Sequence, residues 1–592
     1  MAISSVRPLA WVLPCAGFAT GLAFWSAGRT GLGPVDDAYI SLRYAANWAA
    51  GHGLVFNLGE RVEGYSNFLW VAVHALVIRV GVEPVDAMLW LSWISYFALA
   101  ALSVRLFARH VLPDAPGWGA ALGFAASLSP VIVSWASSGM ETCLYAALVL
   151  GALLAAVEAG PAAPVAASGL LALAALTRFE AVALAPILAS VVVASQRSRS
   201  AGVRFLLVFV VGFGAYFTIR AVHFGELFPN TFYAKLDYGS LALLRRGASY
   251  VGSFVLGAAP LSALALCGVA LLRRAPLWAL ACAGVVAVQI LVVAWEGGDH
   301  FALFRFFAPS WLPLCALAAL PLTRAARLLP PALRGRAVAA AGVTALAVAS
   351  LGLAMRPIPG AGLRPRDQAA EQRPSQLDRF RIEVQMTEGW SLIGRKLRRA
   401  VPADSSLSTI AIGAIGYHSR LTIVDPHGLV FPAIGRQRIA LGNGYPGHEK
   451  FDVEAVIRKE PDYLLLLNHF SRKPIAADEV AARAWGPFNA AMARHPALAA
   501  EYTYHSIRFG PRRWLNVHVR RGAPLPEPLD STAHTAEGSQ SPRARCYVGT
   551  MSRGGEPCPR RVTKRDTTSS SSARDLRPRS SCTPCSHPRD LT

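Results

Sequence analysis

The sequence predicts an α-helical polytopic membrane protein with about eleven transmembrane helices, followed by a C-terminal extracytoplasmic α/β domain and a disordered tail. Three observations predict it. Long apolar segments recur almost continuously from Leu9 to Ala354, and several reach the roughly 20 residues that cross a bilayer core. Of the 592 residues 53% are hydrophobic and only 16% charged, with a mean hydropathy of +0.37; a soluble chain carries about a quarter charged. Past Pro357 the pattern changes to alternating helix-like and strand-like runs, and past Gly522 to Pro, Ser, Arg and Thr.

The expected spans are Leu9–Ala27, Ala87–Phe107, Trp118–Trp135, Thr142–Val157, Pro164–Leu176, Ala181–Ala194, Phe205–Val222, Tyr250–Leu272, Pro276–Trp295, Phe304–Leu322 and Ala337–Ala354. The first follows Arg7 and reads as an uncleaved helix, being long and followed by many others. Asn67–Val80 is too short to cross and carries His74 and Arg79, so it is expected to lie along the surface. With that choice Arg7, Arg105, Arg109, "QRSRSAGVR", Arg273, Arg274 and "TRAARLLPPALRGR" all face the cytoplasm, as the positive-inside rule requires. The chain then reads as a multi-pass protein of a bacterial cytoplasmic membrane, with residues 1–356 forming the membrane domain, loop 28–86 outside, and 357–521 an external domain. In the latter, "LDRFRIEVQMTEGWSLIGRKLRRA" reads as an amphipathic helix, "FDVEAVIRKE" as a second helix, and "SLSTIAIGAIGY", "PDYLLLL" and "WLNVHVR" as strands. Residues 522–592 lack a core-forming pattern.

The formal charge of +22 does not point to nucleic acid, because the basic residues sit in short loops or in the tail rather than along a groove. Most cysteines fall in or beside apolar spans, and the lone C-x-x-C of Cys582 and Cys585 lies in the tail.

The outer loops gather polar groups that are costly near a membrane and usually functional. The first is "DDAYISLRYAANWAAGHGLVFNLGERVEGYSNF". An Asp before a helix with Gly51 after it fits a cap and a glycine stop. One Asp suffices for that, and Asp36 and Asp37 are both present. Asp36 shares a helix face with Arg43, seven residues on, and Asp37 with Tyr44; His52 follows. Further candidates for substrate contact are Glu63 and Tyr65, Glu141 in "SSGMET", Arg178 and Glu180 in "LTRFE", Asn230 and Lys235 in "FPNTFYAKL", and Asp299, His300 and Arg305 in "GGDHFALFR". The external domain adds His418 and Asp425 in "YHSRLTIVDPHG". Each has a plainer reading: Glu141 as a helix cap, Arg178 with Glu180 as an ion pair, Lys235 as an interfacial anchor, His418 as a structural imidazole. So many acids admit a divalent cation, though no spacing identifies one.

In order, "DDAYISLRYAANWAAGHGLVFNLGERVEGYSNFLW", "SSGMET", "LTRFE", "FPNTFYAKL", "GGDHFALFRFFAP" and "GAIGYHSRLTIVDPHGL" resemble the C-type membrane glycosyltransferases, most of all the actinobacterial terminal arabinofuranosyltransferase-like group. The likeness covers scattered motifs from Pro34 to Asp425, and the first loop is the specific one. It implies transfer of a sugar from a polyprenyl-phosphate donor to an envelope glycan or glycolipid acceptor at the outer membrane face. It also implies a catalytic carboxylate in the first external loop, Asp36 or Asp37, which the sequence does not separate. The rival reading, a flippase for lipid-linked sugars, calls for internal repeats and broken helices in matching halves; no repeat is evident. A glycan-binding scaffold leaves the carboxylates without a task.

Overall fold

A computed structural model describes residues 11–236, 240–357, 374–484 and 486–529. The apolar segments are helical, as they must be where lipid offers the backbone no hydrogen-bond partner. In chain order they are α1 (Val12–Thr30), α2 (Asp36–Ala49), α3 (Phe68–Arg79), α4 (Pro84–Leu106), α5 (Pro116–Ser127), α6 (Pro130–Ala136), α7 (Thr142–Val157), α8 (Ala163–Thr177), α9 (Ala185–Gln196), α10 (Arg199–Phe224), α11 (Asn230–Lys235), α12 (Leu241–Gly257), α13 (Ala259–Ala270), α14 (Leu277–Glu296), α15 (Ala308–Ala325) and α16 (Pro331–Met355).

The expected Trp118–Trp135 and Tyr250–Leu272 are each a bent pair rather than one span, turning by 63° between α5 and α6 and by 98° between α12 and α13. Pro130 and Pro260 open the second member of each pair. A proline there has no N–H to give and disfavours helix in the residue before it. Among the described residues six helices are long and apolar enough to cross a membrane, or eight if each bent pair is one span, against eleven segments expected; α7 and α8 are shorter apolar helices. Close approach in the bundle depends on small residues. A Cβ on Gly119 would lie 2.6 Å from the Phe107 carbonyl oxygen, and one on Gly123 2.8 Å from that of Ser103, so this G-x-x-x-G lets α5 touch the backbone beside it.

The ends of the helices sort into two faces. Glu141, before α7, and Arg178, after α8, are ion-paired at one end. At the other, Arg105 near the end of α4 pairs with Glu158 after α7, 2.5 Å apart. The 12-residue α3, about 18 Å long, starts at Asn67, which donates to Glu141, and leads into the start of α4. It therefore begins and ends on the same face.

Beyond the bundle α17 (Gln376–Ala400) is the expected amphipathic helix, with Ser375 Oγ capping its N-terminus and Arg398 and Arg399 in its last turn. A five-stranded sheet follows: β1 (Ser406–Ser408), β2 (Thr422–Val424), β3 (Tyr463–Leu464), β4 (Tyr502–Arg508) and β5 (Trp514–Arg520), in the order β2-β1-β3-β5-β4. β1 is parallel to β2 and β3, while β3 with β5 and β5 with β4 are antiparallel. β5 is "WLNVHVR" as expected. The strand expected through "SLSTIAIGAIGY" stops at Ser408, and Ala414–Ser419 forms a short helix, α18, because the bundle side captures its first N–H groups. "PDYLLLL" pairs over only two residues. β4, "YTYHSIR", was not legible because its residues are half-buried polar and aromatic groups without an aliphatic run.

Residues 522–529, expected in the tail, run back over this domain: Glu527 N–H donates to Ala400 and Leu529 N–H to Arg508. Backbone hydrogen bonds need no apolar pattern, which is why composition did not show this. The remainder of the expected tail, 530–592, lies outside the described residues.

Candidate active site

The first loop reaches its shape by locking onto the C-terminal part. Adjacent helical residues point about 100° apart, and α2 uses this to give its two acids different work. Asp36 turns toward α18, accepting from Gly413 N–H (3.1 Å) and Ala414 N–H (2.7 Å). On the same face, one helical repeat on, Arg43 donates to the carbonyls of Phe56 (2.7 Å), Gly416 and Leu421 (both 2.8 Å) and to Asn57 Oδ1 (3.2 Å). Asn57 then bonds both backbone groups of Ile423, covering the free edge of β2. Burial pushes the Asp36 carboxyl up to about 7 against those two N–H groups, with the Asp37 charge adding to the rise.

Asp37 turns the other way, together with Ile40 and Ser41, into a cavity of about 540 Å³. The floor and walls come from Tyr65 and Asn67 of the first loop, from Glu141, from Arg178 and Glu180, from Lys235, and from Glu296, Asp299, His300 and Arg305; Leu429, Pro446 and Gly447 close it from the C-terminal side. One wall is apolar, with Phe179, Val182, Phe228, Phe232 and the half-exposed Trp295.

The charged groups of the cavity are mostly spoken for. Arg178 bonds Glu141 (2.9 Å) and Glu180 (2.6 Å), and Asn67 holds the second oxygen of Glu141 (2.8 Å). Arg305 pairs with Asp299 (2.8 Å), and Arg246 with Glu449 (2.8 Å). His300 touches Asp299 (3.4 Å); burial and the neighbouring His448 hold it well below the usual imidazole range, so it stands neutral. Two lining groups differ. Among the described residues Asp37 and Lys235 have no hydrogen-bond or ion-pair partner, and both lie near enough to His300 to act on its charge. A carboxylate able to take a proton and an ammonium able to hold an anion thus face one cavity beside an apolar wall.

The structure brings together Asp37, Tyr65, Glu141, Arg178, Glu180, Lys235, Asp299, His300 and Arg305 from the sequence candidates. The others lie outside the cavity lining and have structural partners or positions. Tyr44 donates to the Val62 carbonyl (2.5 Å) and accepts from Gly64 N–H (2.8 Å). His52 is exposed after α2. Glu63 is buried against Arg220 of α10. Asn230 donates to the carbonyls of Gly428 (2.7 Å) and Leu429 (2.8 Å). His418 packs on Tyr39 and Tyr417. Asp425 accepts from the N–H groups of His427 and Val430, both at 2.9 Å. Arg246, Glu296 and Trp295 also line the site; Trp295 was read as the end of a span, while Arg246 and Glu296, just outside the expected spans, were not singled out, and a charged group beside the end of an apolar helix was the available signal. Among the described residues no group of three or more His, Cys, Asp or Glu side chains is placed to hold a metal ion.

The bundle carrying a first-loop helix under a C-terminal sheet domain is similar in fold to the solved structures of ArnT. ArnT from Cupriavidus metallidurans bound to undecaprenyl phosphate superposes with a TM-score of 0.53 at 12% identity, over 86% of this chain and 98% of that one. The apo form of ArnT gives 0.51 at 14% identity, over 84% and 97%. In sequence, the chain is 36% identical over 126 residues to the terminal beta-(1->2)-arabinofuranosyltransferase of Corynebacterium glutamicum. That match spans 20% of this chain and 17% of the relative's length. Residues 378–522, containing α17 and the sheet, match a family described as a domain of unknown function (DUF8728).

Proposed function

We propose that this protein is a membrane glycosyltransferase that moves a sugar from a polyprenyl-phosphate donor to a cell-envelope glycan or glycolipid acceptor. The carrying observation is the unpartnered Asp37 and Lys235 in one cavity with an apolar side wall. Asp37 takes the proton of the acceptor hydroxyl as that oxygen attacks the sugar carbon. The bond from sugar to phosphate breaks, and Lys235 offsets the charge gathering on the leaving phosphate. Phe179, Val182, Phe228, Phe232 and Trp295 receive the first isoprenoid units from the bilayer. The fold shared with ArnT, whose structure holds undecaprenyl phosphate, supports a lipid phosphate as the carrier. Arabinofuranose as the sugar is supported by the partial match to the corynebacterial enzyme.

The test is reconstitution in liposomes with a radiolabelled polyprenyl-phosphate sugar and an envelope-derived acceptor. Label moving onto the acceptor is the expected result; label crossing the bilayer while still lipid-linked would establish a flippase instead. Replacing Lys235 by Met is expected to weaken use of the lipid donor by roughly 10- to 100-fold, the worth of a hydrogen bond to a charged group. It appears as a raised KM for donor with acceptor KM unchanged.

The site faces the outside of a bacterial cytoplasmic membrane. The end of the bundle opposite the cavity carries Arg105, Arg109, Arg199, Arg273, Arg274 and Arg324, and such enrichment marks the cytoplasmic side. In a cysteine-free background, a membrane-impermeant thiol reagent added to intact cells should label Leu58→Cys and not Ser200→Cys. Labelling at position 200 would reverse the orientation.

A further inference from the structure

Residues 441–449 of the C-terminal domain, "LGNGYPGHE", form no helix or strand, yet they are tied down along most of their length. One carboxylate holds the loop. Glu449 Oε1 accepts from the N–H groups of Gly442 and Gly444, both at 2.7 Å, and Oε2 meets Arg246 Nη1 of α12 at 2.8 Å. Arg246 also donates to the Gly444 carbonyl (3.3 Å) and, from Nε, to that of Gly297 (3.0 Å). Both side chains of this pair are buried. Ser240, the cap of α12, donates to the Leu441 carbonyl (2.5 Å). A Cβ on Gly442 would lie 2.3 Å from Leu243 N, so the loop backbone rests directly on the first turn of α12. What this latch holds down covers the cavity. Pro446 and Gly447 line it, and Gly447, at a φ of +74°, lies against the stem of Lys235: a Cβ there would be 3.4 Å from Cε. The rings of Tyr445 and His448 stand 5.6 and 5.2 Å from that of His300, which lines the cavity with Asp37 and Lys235. A base that serves an acceptor hydroxyl serves water equally well, and closing a site against water prevents that side reaction.

We propose that residues 441–449, latched by Glu449 onto Arg246, roof the cavity and make the reaction selective for the acceptor hydroxyl over water. The inference rests on the glycosyltransferase reading. With the roof displaced, a water oxygen bonds to the sugar carbon as the bond from sugar to phosphate breaks. One water proton passes to Asp37, and the products are free sugar and polyprenyl phosphate. Glu449 and Arg246 are positioning residues, acting through the loop rather than on the reacting atoms. The roof also gives residues 378–522, the part matched by a family of unknown function, a task in the reaction.

The experiment has two arms on the purified, full-length protein in nanodiscs. The first needs no substrate. Thr231 lines the cavity one helical turn before Lys235, so Thr231→Cys in a cysteine-free background reports access beneath the loop. A water-soluble thiol reagent should label it roughly 10- to 100-fold faster once Glu449→Gln is added, the worth of a hydrogen bond to a charged group. Gln keeps the size and an oxygen for the two glycine N–H groups while removing the charge that faces Arg246. Arg246→Met should act in the same direction. Unchanged labelling in both variants overturns the roof. The second arm supplies undecaprenyl-phosphate arabinofuranose, labelled in the sugar, with no acceptor. Glu449→Gln should release free sugar at least about tenfold faster than wild type, in step with the more open loop, and adding Asp37→Asn should suppress that release. Faster labelling without faster release would overturn the selectivity. A wild type that neither transfers this sugar to an envelope-derived acceptor nor releases it would overturn the transfer on which the selectivity rests, with the labelling arm still deciding the roof.

Discussion

Asp37→Asn is expected to lower sugar transfer by about 10²–10⁴-fold, the usual loss when a general base is removed. Asn keeps the size and most of the hydrogen bonding of Asp, so donor binding and the melting temperature should hold. Asp36→Asn should behave in the opposite way. Its carboxylate accepts two backbone N–H groups, and an amide can satisfy only one of them. The variant should lose about 1–3 kcal/mol of stability for the N–H left unmatched, with transfer per folded molecule within about tenfold of wild type, well short of the loss of a base. Single-turnover rates and thermal unfolding, measured side by side, check both. If the rate falls at position 36 and not at 37, the geometry has been assigned to the wrong acid. If neither falls, the carboxylates are structural.

Arg220→Met should destabilise the protein by about 3–5 kcal/mol, because it leaves a buried charge without its partner. Glu63 and Arg220 are each 3% exposed, with Glu63 Oε2 receiving both Nε (2.9 Å) and Nη2 (2.5 Å). The pair ties the end of α10 to the first loop, whose Glu63 carbonyl also accepts from Asn230 N–H (2.9 Å). The effect should depend on pH with a defined sign. Even beside Arg220, burial pushes the Glu63 carboxyl from 4.5 up to about 7. A raised folded-state value favours folding in acid, and that contribution is lost as pH rises through about 7. The variant should therefore be least stable in mildly alkaline buffer and recover on acidification. Glu63→Gln placed in the Arg220→Met background should restore most of the loss. Equal instability of the single and double variants would show that the pair's charges are not the cause.

Much of the fold was legible because a bilayer leaves few choices. An apolar run must be a helix there, so Thr142–Val157 could be read to the residue, and α17 followed from its apolar stripe and basic last turn. The bends before α6 and α13 were less legible, since proline breaks some helices and is absorbed by others; Pro313 and Pro321 lie inside α15. The short strands β1, β2 and β3 owe their existence to neighbours rather than to their own pattern, which two or three residues cannot carry.

The sequence by itself determined that polar groups of opposite sign collect on one face of a membrane bundle, and that two adjacent acids follow the first apolar helix. Charge and apolarity are written in composition and order, and the cost of placing them in lipid is the same whatever the fold. Which groups meet was decided by tertiary structure. Asp36 and Asp37 are chemically identical neighbours, separated only because the helix turns one toward Gly413 and Ala414 and the other toward Lys235 and His300. Glu63 was a ligand candidate until Arg220, 157 residues away, was found against it. A pairing between distant residues leaves no local trace, because its energy depends on distance and burial, which exist only once the chain has folded.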